Sequence, residues 1–393
     1  MIMSTTIAAI IATLITTGMT SAVSHTATLI GGSLASLMLA GCTVLSRNAR
    51  VYPVFLVGTI ALSVLVLVSS EVNTSEFSST IHVLSSYAAL AALAFSSSDV
   101  SSFCRQLMLG TNLLLTYWIL YQAYHLSTLQ AWLISNPAGA GNLMAAQINM
   151  TLPLVLSRVS DSVGPRKALY IALVPLNSLS VFLVMSRNGI GTLAIILTLY
   201  VLFNHKRLAA FFLTGIVSVS YFFDNILNSP IVHQLLVRMR LVGFVAAAPR
   251  SLIWRISWDR VAQKPWLGVG PGNPQKFLAV LDINHAHNNF MQVALEAGLP
   301  AAAAFASMMS LLMWLPASAI VRQRACFVHT LPLLAYVSFS WTGGPLAFPG
   351  ATLLLAACVN EARTAIKRDR VSAEARDIPS IPVKIPVRQT QAA

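Results

Sequence analysis

Apolar stretches alternate with short polar interruptions along most of the chain. Each stretch is about 17–22 residues long, which is the length that an α-helix needs to cross the roughly 30 Å hydrocarbon core of a bilayer. The pattern therefore predicts about twelve transmembrane helices, and hence an all-α, polytopic membrane protein. The predicted spans lie near residues 6–23, 27–45, 51–69, 80–97, 106–124, 141–157, 168–185, 189–204, 208–223, 297–316, 325–342 and 344–360.

The composition supports a membrane protein. Hydrophobic residues make up 56% of the 393 residues and charged residues only 9%, whereas charged residues make up about a quarter of soluble domains. The formal net charge of +13 would suggest a nucleic-acid partner in a soluble protein. Since no predicted soluble segment is long enough to bind a duplex, we expect no nucleic-acid partner and a chain solvated mainly by lipid.

The positions of the basic residues predict the orientation of the chain in the membrane. If the predicted spans are followed in order, 17 of the 25 Lys and Arg residues fall on one side. The positive-inside rule places that side in the cytoplasm. Both termini are then cytoplasmic, and the other eight basic residues are exported.

The longest polar connection divides the chain into four regions. Nine spans are predicted within residues 1–223, a large exported loop with short helices within 224–288, and three spans within 289–360. Residues 361–393 mix charges with spaced prolines and predict a disordered cytoplasmic tail that touches anionic lipid. The predicted spans contain almost no charged residues, which argues against an ion-coupled transporter.

The exported loop is cationic, with seven Lys and Arg residues against three Asp. Such a surface beside a membrane suits an anionic substrate such as a lipid phosphate or pyrophosphate. Within the loop, a helix is predicted after Pro249, and it carries Arg250 and Trp254 on one face. We predict a direct role for Arg250 and substrate contacts for Trp254 and Arg255. The alternative, that these charges only keep the loop solvated, stays open.

Two further sequence blocks carry candidate chemistry. Arg187, in VMSRNGIG, separates two apolar stretches at their exported junction and has no acidic neighbour in sequence, so the substrate is a candidate partner. HAHNN supplies His285, His287 and Asn288, and imidazole is well suited to take a proton from a sugar hydroxyl near neutral pH. Two imidazoles fall short of the three or four ligands of most zinc or copper sites, so we predict no metal site.

These blocks together resemble the O-antigen ligase family, also called the WaaL or Wzy-C superfamily. The resemblance rests on SRNG, on R-x-x-x-W followed by P-W-L-G-V-G-x-G, and on H-N-x9-G, and it covers roughly residues 140 to 320. The glycine- and proline-rich block lacks the GK[ST] of a P-loop and predicts a turn. The sequence departs from the family pattern at Ala301, where the family has Gly, Thr or Tyr, and at Asn188, where Gly is usual.

The resemblance implies a GT-C type glycosyltransferase of the bacterial inner membrane with a periplasmic active site and no cofactor. The donor would be a glycan on undecaprenyl pyrophosphate, and the acceptor would be a sugar hydroxyl of lipid A-core. Arg187 and Arg250 would hold the pyrophosphate, His287 would activate the hydroxyl, and the linkage would invert. Related transferases commonly use an Asp and a divalent cation in the first exported loop, which here is little more than Ser24 and His25. The resemblance therefore favours an enzyme of lipopolysaccharide biosynthesis that works without a metal ion.

Three other functions stay open at this point. A polymerase of the same superfamily would use the same donor but transfer it to another lipid-linked repeat. A transferase acting on protein acceptors or a lipid-linked glycan transporter would also fit a polytopic chain. The sequence leaves open the identity of the glycan, the acceptor hydroxyl, the role of His285 and the oligomeric state.

Overall fold

The computed structural model describes residues 2–16, 25–125, 141–184, 186–204, 250–281, 283, 285–322, 325–342 and 349–377. These ranges are almost entirely helical. The helices are α1 (Ile2–Thr16), α2 (His25–Val44), α3 (Pro53–Val72), α4 (Phe77–Leu90), α5 (Ser101–His125), α6 (Gly141–Asp161), α7 (Gly164–Leu183), α8 (Arg187–Asn204), α9 (Arg250–Gln263), α10 (Pro274–Leu278), α11 (Asn289–Val321), α12 (Leu331–Thr342) and α13 (Pro349–Asp377). Short 3₁₀ segments follow α4 and α10 and precede α12.

Two strands of two residues each also occur in the described ranges. Strand β1 (Arg50–Val51) pairs antiparallel with β2 (Phe95–Ser96), so that Arg50 lies opposite Ser96. The pair joins the connection before α3 to the connection before α5. The architecture agrees with the predicted all-α membrane protein.

Four described helical segments are long and apolar enough to cross a membrane: Pro53–Val72, Phe77–Ala94, Gly164–Leu183 and Asn289–Val321. Shorter apolar helices lie in α1, α2 and α8 and in residues 326–341. Helices stand at eleven of the twelve predicted span positions, and the other position, 208–223, lies outside the described residues. Twelve transmembrane crossings therefore stay a prediction.

Helix α6 lies inside the bundle and positions its neighbours. All of its residues from Leu143 to Ser157 are buried, and it packs on α5, α7, α8 and α12. Two of its buried polar side chains bond to other helices, which offsets part of the cost of burying them. Asn112 Nδ2 donates to Thr151 Oγ1 at 2.9 Å, and Asn149 Nδ2 donates to the Gly189 carbonyl at 2.8 Å. The second bond ties the start of α8 to the core.

Helix α13 continues to Asp377, which differs from the disorder predicted from residue 361. Its apolar run ends at Asn360, but this side chain is buried and accepts a hydrogen bond from the Ser97 backbone N–H at 2.7 Å. Contacts with other helices therefore keep the chain helical beyond its apolar part. Residues 378–393 lie outside the described residues.

The same region collects several of the basic residues that were predicted to share one side. Arg363 is buried, donates to the Leu93 carbonyl at 2.6 Å and lies over the ring of Tyr52 at 3.6 Å. Glu361 is buried, and one of its carboxylate oxygens lies 3.7 Å from an Arg105 guanidinium nitrogen. We call this part of the bundle the basic end.

Candidate functional site

The opposite end of the bundle carries the two predicted histidines in a short segment, residues 285–287, here called the histidine loop. The imidazole rings of His285 and His287 lie 4.1 Å apart between centroids, and Ala286 between them is fully buried. His287 has a φ of 52°. A left-handed conformation in a residue other than glycine costs about 1–3 kcal/mol and persists only where the surroundings enforce it. The loop is therefore held by its neighbours.

Asn288 fixes the junction between the histidine loop and α11. It is the N-cap of α11, and its Oδ1 accepts a hydrogen bond from the Met291 N–H at 3.0 Å. Its Nδ2 donates to the carbonyl of Trp341, at the end of α12, at 3.3 Å. Asn288 was predicted to contact the substrate. In the structure its side-chain oxygen and nitrogen both bond within the protein, as an N-cap residue typically does.

Helix α9 is attached to the histidine loop through Trp254. The indole Nε1 donates to the Ala286 carbonyl at 3.1 Å, so the predicted aromatic residue positions the loop. Arg250 is exposed and lies one turn earlier on the same face as Trp254. Arg255 is also exposed, but it lies about 100° around the helix from Trp254 and shares no face with it.

The electrostatics of the histidine loop keep both imidazoles neutral near pH 7. Burial, together with smaller effects of His285 and Arg250, lowers the pKa of His287 to about 4. Burial also lowers the pKa of His285. Because Trp254 bonds to Ala286 and Arg250 lies one turn earlier on the same face of α9, Arg250 lies on the side of α9 that faces the loop. A neutral imidazole has a free nitrogen lone pair that can accept a proton.

The start of α8 reaches the same end of the bundle. Ser186 caps this helix, since its Oγ accepts a hydrogen bond from the Gly189 N–H at 3.0 Å. A Cβ atom on Gly189 would lie only 2.7 Å from the Cβ of Ala145 on α6, so only glycine allows this close packing. The SRNG block is thus a helix start fixed against the core. Arg187 is the first residue of α8, and its side chain lies outside the described part of the structure.

The end of α12 connects the starts of α8 and α11. Ser338 Oγ donates to Asn188 Oδ1 at 3.1 Å, and Asn289 Nδ2 donates to Ser340 Oγ at 3.3 Å. Asn188, where the family usually has glycine, therefore has a partner on α12. The backbone of Arg187 and the histidine loop consequently lie at one end of the bundle, here called the site end.

Gly298 interrupts helix α11, which follows the histidine loop in the chain. Its φ of 87° and ψ of 174° interrupt the helix. The Val269 N–H donates to the Leu295 carbonyl at 2.6 Å and the Leu299 N–H donates to the Pro265 carbonyl at 2.7 Å, so residues 265–269 fill the opening. A Cβ on Gly298 would lie 2.2 Å from the Trp266 carbonyl oxygen. The glycine of H-N-x9-G is therefore needed for a backbone contact.

The rest of the glycine-rich block packs against the end of α3. Ser69 Oγ lies 2.5 Å from the Leu267 carbonyl oxygen, and Lys264 Nζ donates to Asn73 Oδ1 at 2.7 Å. The φ of Gly270 is 92°, and a Cβ there would lie 2.3 Å from a serine Oγ of the connection after α3. The backbone of this predicted turn therefore contacts both α3 and α11 and holds the two helices together.

Gln292 and Glu296 complete the site and were not predicted. The Ala286 N–H donates to Gln292 Oε1 at 2.9 Å, and Gln292 Nε2 donates to Glu296 Oε1 at 2.7 Å. Glu296 is buried. The only sequence signal was the spacing of four residues on a helix that begins directly after the histidines, with a carboxylate at the edge of an apolar span.

An apolar groove leads away from the site end along α11. It has a volume of about 780 Å³, begins between Phe290 and Trp341, and passes Leu299 on its way to Trp314. The rings of Phe290 and Trp341 lie 4.8 Å apart. Trp314 is 66% exposed and Trp341 56% exposed. Since Asn288 bonds to Trp341, the groove opens next to the histidine loop.

The two neighbouring histidines raise the question of a metal site. Among the side chains of the described ranges, no group of three or more His, Cys, Asp and Glu residues is placed to hold a metal ion. Asp282, which could join the histidine pair as a third ligand, lies outside the described residues. Metal independence stays a prediction.

Residues 171–306 match the family model described as O-antigen ligase (Wzy_C). The resemblance to the O-antigen ligase family is confirmed. The match to the O-antigen ligase family begins in α7 and ends in α11, so it includes Arg187, Arg250, the histidine loop and Gly298. It supports a membrane glycosyltransferase-like activity. No curated protein matches the chain.

Proposed function

We propose that this protein is an O-antigen ligase of the bacterial inner membrane. It transfers a glycan from undecaprenyl pyrophosphate to a sugar hydroxyl of lipid A-core at the periplasmic face. Both termini are then cytoplasmic, and the basic end faces the cytoplasm. The observation that carries the proposal is the bond from Trp254 to the Ala286 carbonyl, which attaches the helix that begins at Arg250 to the histidine loop inside the O-antigen ligase match.

The leaving group of this reaction is a pyrophosphate, which gains negative charge as the glycosidic bond breaks. Arg250 supplies a permanent positive charge on the face of α9 that bonds to the histidine loop, and Arg187 adds a second at the start of α8. Cations fixed in place before the reaction stabilise developing charge effectively, because they need no reorganisation. In this proposal the two guanidinium groups take the place that a divalent cation has in related transferases.

His287 acts on the acceptor. Its neutral imidazole takes the proton of the acceptor hydroxyl while the hydroxyl oxygen forms a bond to the anomeric carbon of the donor. The bond between that carbon and the pyrophosphate oxygen breaks, and undecaprenyl pyrophosphate leaves. Attack from the face opposite the leaving group inverts the linkage. His285, with its ring against that of His287, borders the same space and contacts the substrate.

The groove along α11 gives the lipid part of the donor a place to bind. Its walls are apolar, its mouth lies beside the histidine loop, and its far end lies about 24 residues along the same long helix, between Phe290 and Trp314. A polyprenyl chain in this groove would leave its pyrophosphate at the site end. Membrane lipids would fill the groove when the donor is absent.

The second candidate is a polymerase of the same superfamily. The features that support the proposal, namely the cations, the neutral imidazole and the apolar groove, all serve the donor and would serve a polymerase equally. A glycan transporter is a poorer fit, because residues 143–157 of the buried helix α6 include no charged residue.

The test is the lipopolysaccharide of a strain that lacks this protein, separated on a gel. A ligase predicts core without any O-antigen bands while lipid-linked polymer is still made. Core that carries a single repeat would indicate a polymerase, and an unchanged ladder would contradict both. Complementation with wild-type protein should restore the ladder, and complementation with His287→Ala should not.

A further inference from the structure

We propose that Gln292 and Glu296 are positioning residues for His287. A hydrogen-bond relay runs from the Glu296 carboxylate through the Gln292 amide to the backbone of Ala286, and it holds the histidine loop in the conformation that transfer requires. The role of His287 in transfer rests on the proposed function. The relay itself rests only on contacts within the described residues.

The relay is short, and Gln292 in its middle is half-buried between two buried residues. Glu296 Oε1 accepts from Gln292 Nε2 at 2.7 Å, and Gln292 Oε1 accepts from the Ala286 N–H at 2.9 Å. Ala286 is fully buried and Glu296 nearly so. A buried donor or acceptor that loses its partner costs about 1–3 kcal/mol, so each member of the relay depends on the next.

Glu296 determines which way the Gln292 amide points. The Glu296 Oε1 atom accepts the hydrogen bond, so it binds the NH₂ group of the amide. The amide oxygen is then directed at the Ala286 N–H. Without the carboxylate, rotation of the amide would place its NH₂ group against the Ala286 N–H, where two donors cannot bond.

The base of the relay is rigid. The Glu296 carbonyl accepts from Ser69 Oγ on α3 at 2.7 Å, and the preceding Leu295 carbonyl accepts from the Val269 N–H at 2.6 Å. Both bonds lie next to the opening at Gly298. Glu296 is thus fixed to α3 and to the glycine-rich block, and it can serve as a fixed point for the histidine loop.

The relay and Trp254 hold the two peptide groups of Ala286 from different sides. Gln292 bonds the N–H of the peptide group between His285 and Ala286, and Trp254 bonds the carbonyl of the peptide group between Ala286 and His287. With both groups fixed, the chain has little freedom to leave the left-handed conformation at His287, where φ is 52°. The relay therefore sets the direction of the His287 imidazole.

The test exchanges the two side chains of the relay. Glu296→Leu and Gln292→Glu each break it, the second by placing two carboxylates together in a buried site. We expect each to lower kcat for transfer roughly 10- to 100-fold with little change in KM for the donor, as expected for a misdirected catalytic group. The double variant Gln292→Glu with Glu296→Gln rebuilds both hydrogen bonds, because the new carboxylate at position 292 still accepts from the Ala286 N–H and the new amide at position 296 donates to that carboxylate, and it should recover kcat to within a few-fold of wild type.

A second measurement follows the loop without using transfer. Full-length protein in detergent is treated with diethyl pyrocarbonate, and the modification rate of the His285–His287 peptide is measured by mass spectrometry. Glu296→Leu should raise the rate several-fold, and the exchanged pair should return it to the wild-type value. Ser307→Ala, which removes a bond to the Ala303 carbonyl on the same helix, is the matched control and should change neither measurement.

The outcomes separate this inference from the proposed function. The relay would be overturned if Glu296→Leu kept both the wild-type kcat and the wild-type rate of histidine modification. It would also be overturned if the double variant Gln292→Glu with Glu296→Gln folded but had a kcat as low as that of Gln292→Glu. If Glu296→Leu does not fold, the double variant is the remaining test. Recovery of kcat in the double variant then supports the relay. A wild-type protein without transferase activity whose modification rates still follow the relay would refute the proposed function and leave the relay standing.

Discussion

The two ends of the bundle use buried polar groups in different ways. At the basic end the polar side chains of α13 bond to the backbone of segments between α4 and α5, as Asn360 does with Ser97 and Arg363 does with Leu93. At the site end the hydrogen bonds hold the backbone of the histidine loop, and neither imidazole bonds to a group of the described residues. The basic end thus uses its polar side chains for contacts within the protein, and the site end holds its loop by other residues than the two histidines.

The largest expected effect comes from His287→Ala. Loss of the group that takes the hydroxyl proton should lower transfer roughly 100- to 10,000-fold. Stability should change little, because the imidazole makes no described hydrogen bond. The measurement is the rate of glycan transfer by purified protein in lipid vesicles, with the unfolding temperature as a control. Transfer at the wild-type rate would remove His287 from the mechanism.

Arg250→Ala should have the next largest effect on transfer. Removing an exposed cation near the leaving group should lower the rate roughly 10- to 100-fold, and Arg250→Lys should recover part of it, since lysine keeps the charge but loses the bidentate geometry. The matched control is Arg260→Ala on the same helix, where Arg260 bonds to Gln263 and should leave the rate unchanged. Equal losses in Arg250→Ala and Arg260→Ala would contradict a specific role.

A pair of asparagine variants compares the two ends directly. Asn360→Ala leaves the buried Ser97 N–H without its partner, and Asn288→Ala removes the cap of α11, so each should lower the free energy of unfolding by about 1–2 kcal/mol. Only Asn288→Ala should also lower transfer per folded molecule. Unfolding in detergent and transfer rates measure the two effects. A loss of transfer in Asn360→Ala would show that the ends are coupled.

The smallest expected effect is that of pH between 5 and 8. Because the pKa of His287 is lowered to about 4, its imidazole stays neutral over this range and can accept a proton throughout. The transfer rate should therefore vary little, and it should fall as the pH drops through about 4, where the imidazole becomes protonated. An acid limb near pH 6.5 in the rate profile would show that the imidazole is not buried as described.

The sequence predicted the helical positions well because span length and hydropathy are local properties. It also singled out Arg250, Trp254 and the histidines, since charge and aromatic spacing on one helix can be read from the chain. The extension of α13 beyond residue 360 was missed, because it depends on Asn360 reaching Ser97, which is far away in sequence.

The supporting parts of the site were beyond prediction for the same reason. Asn288 was assigned to the substrate, but its partner Trp341 is 53 residues away. Gly298 opens a helix only because the glycine-rich block enters there, and the link between Trp254 and Ala286 spans 32 residues. Such tertiary contacts decide which residues of a motif touch substrate and which hold the others in place.

The most direct test of the central proposal is transfer with purified components. Wild-type protein in lipid vesicles would be given a glycan on undecaprenyl pyrophosphate and lipid A-core, in the presence of EDTA, and the product would be followed on a gel. The account predicts glycosylated lipid A-core at the same rate with and without added divalent cation. A product that forms only with the cation, or polymer on the lipid carrier in place of glycosylated core, would contradict it.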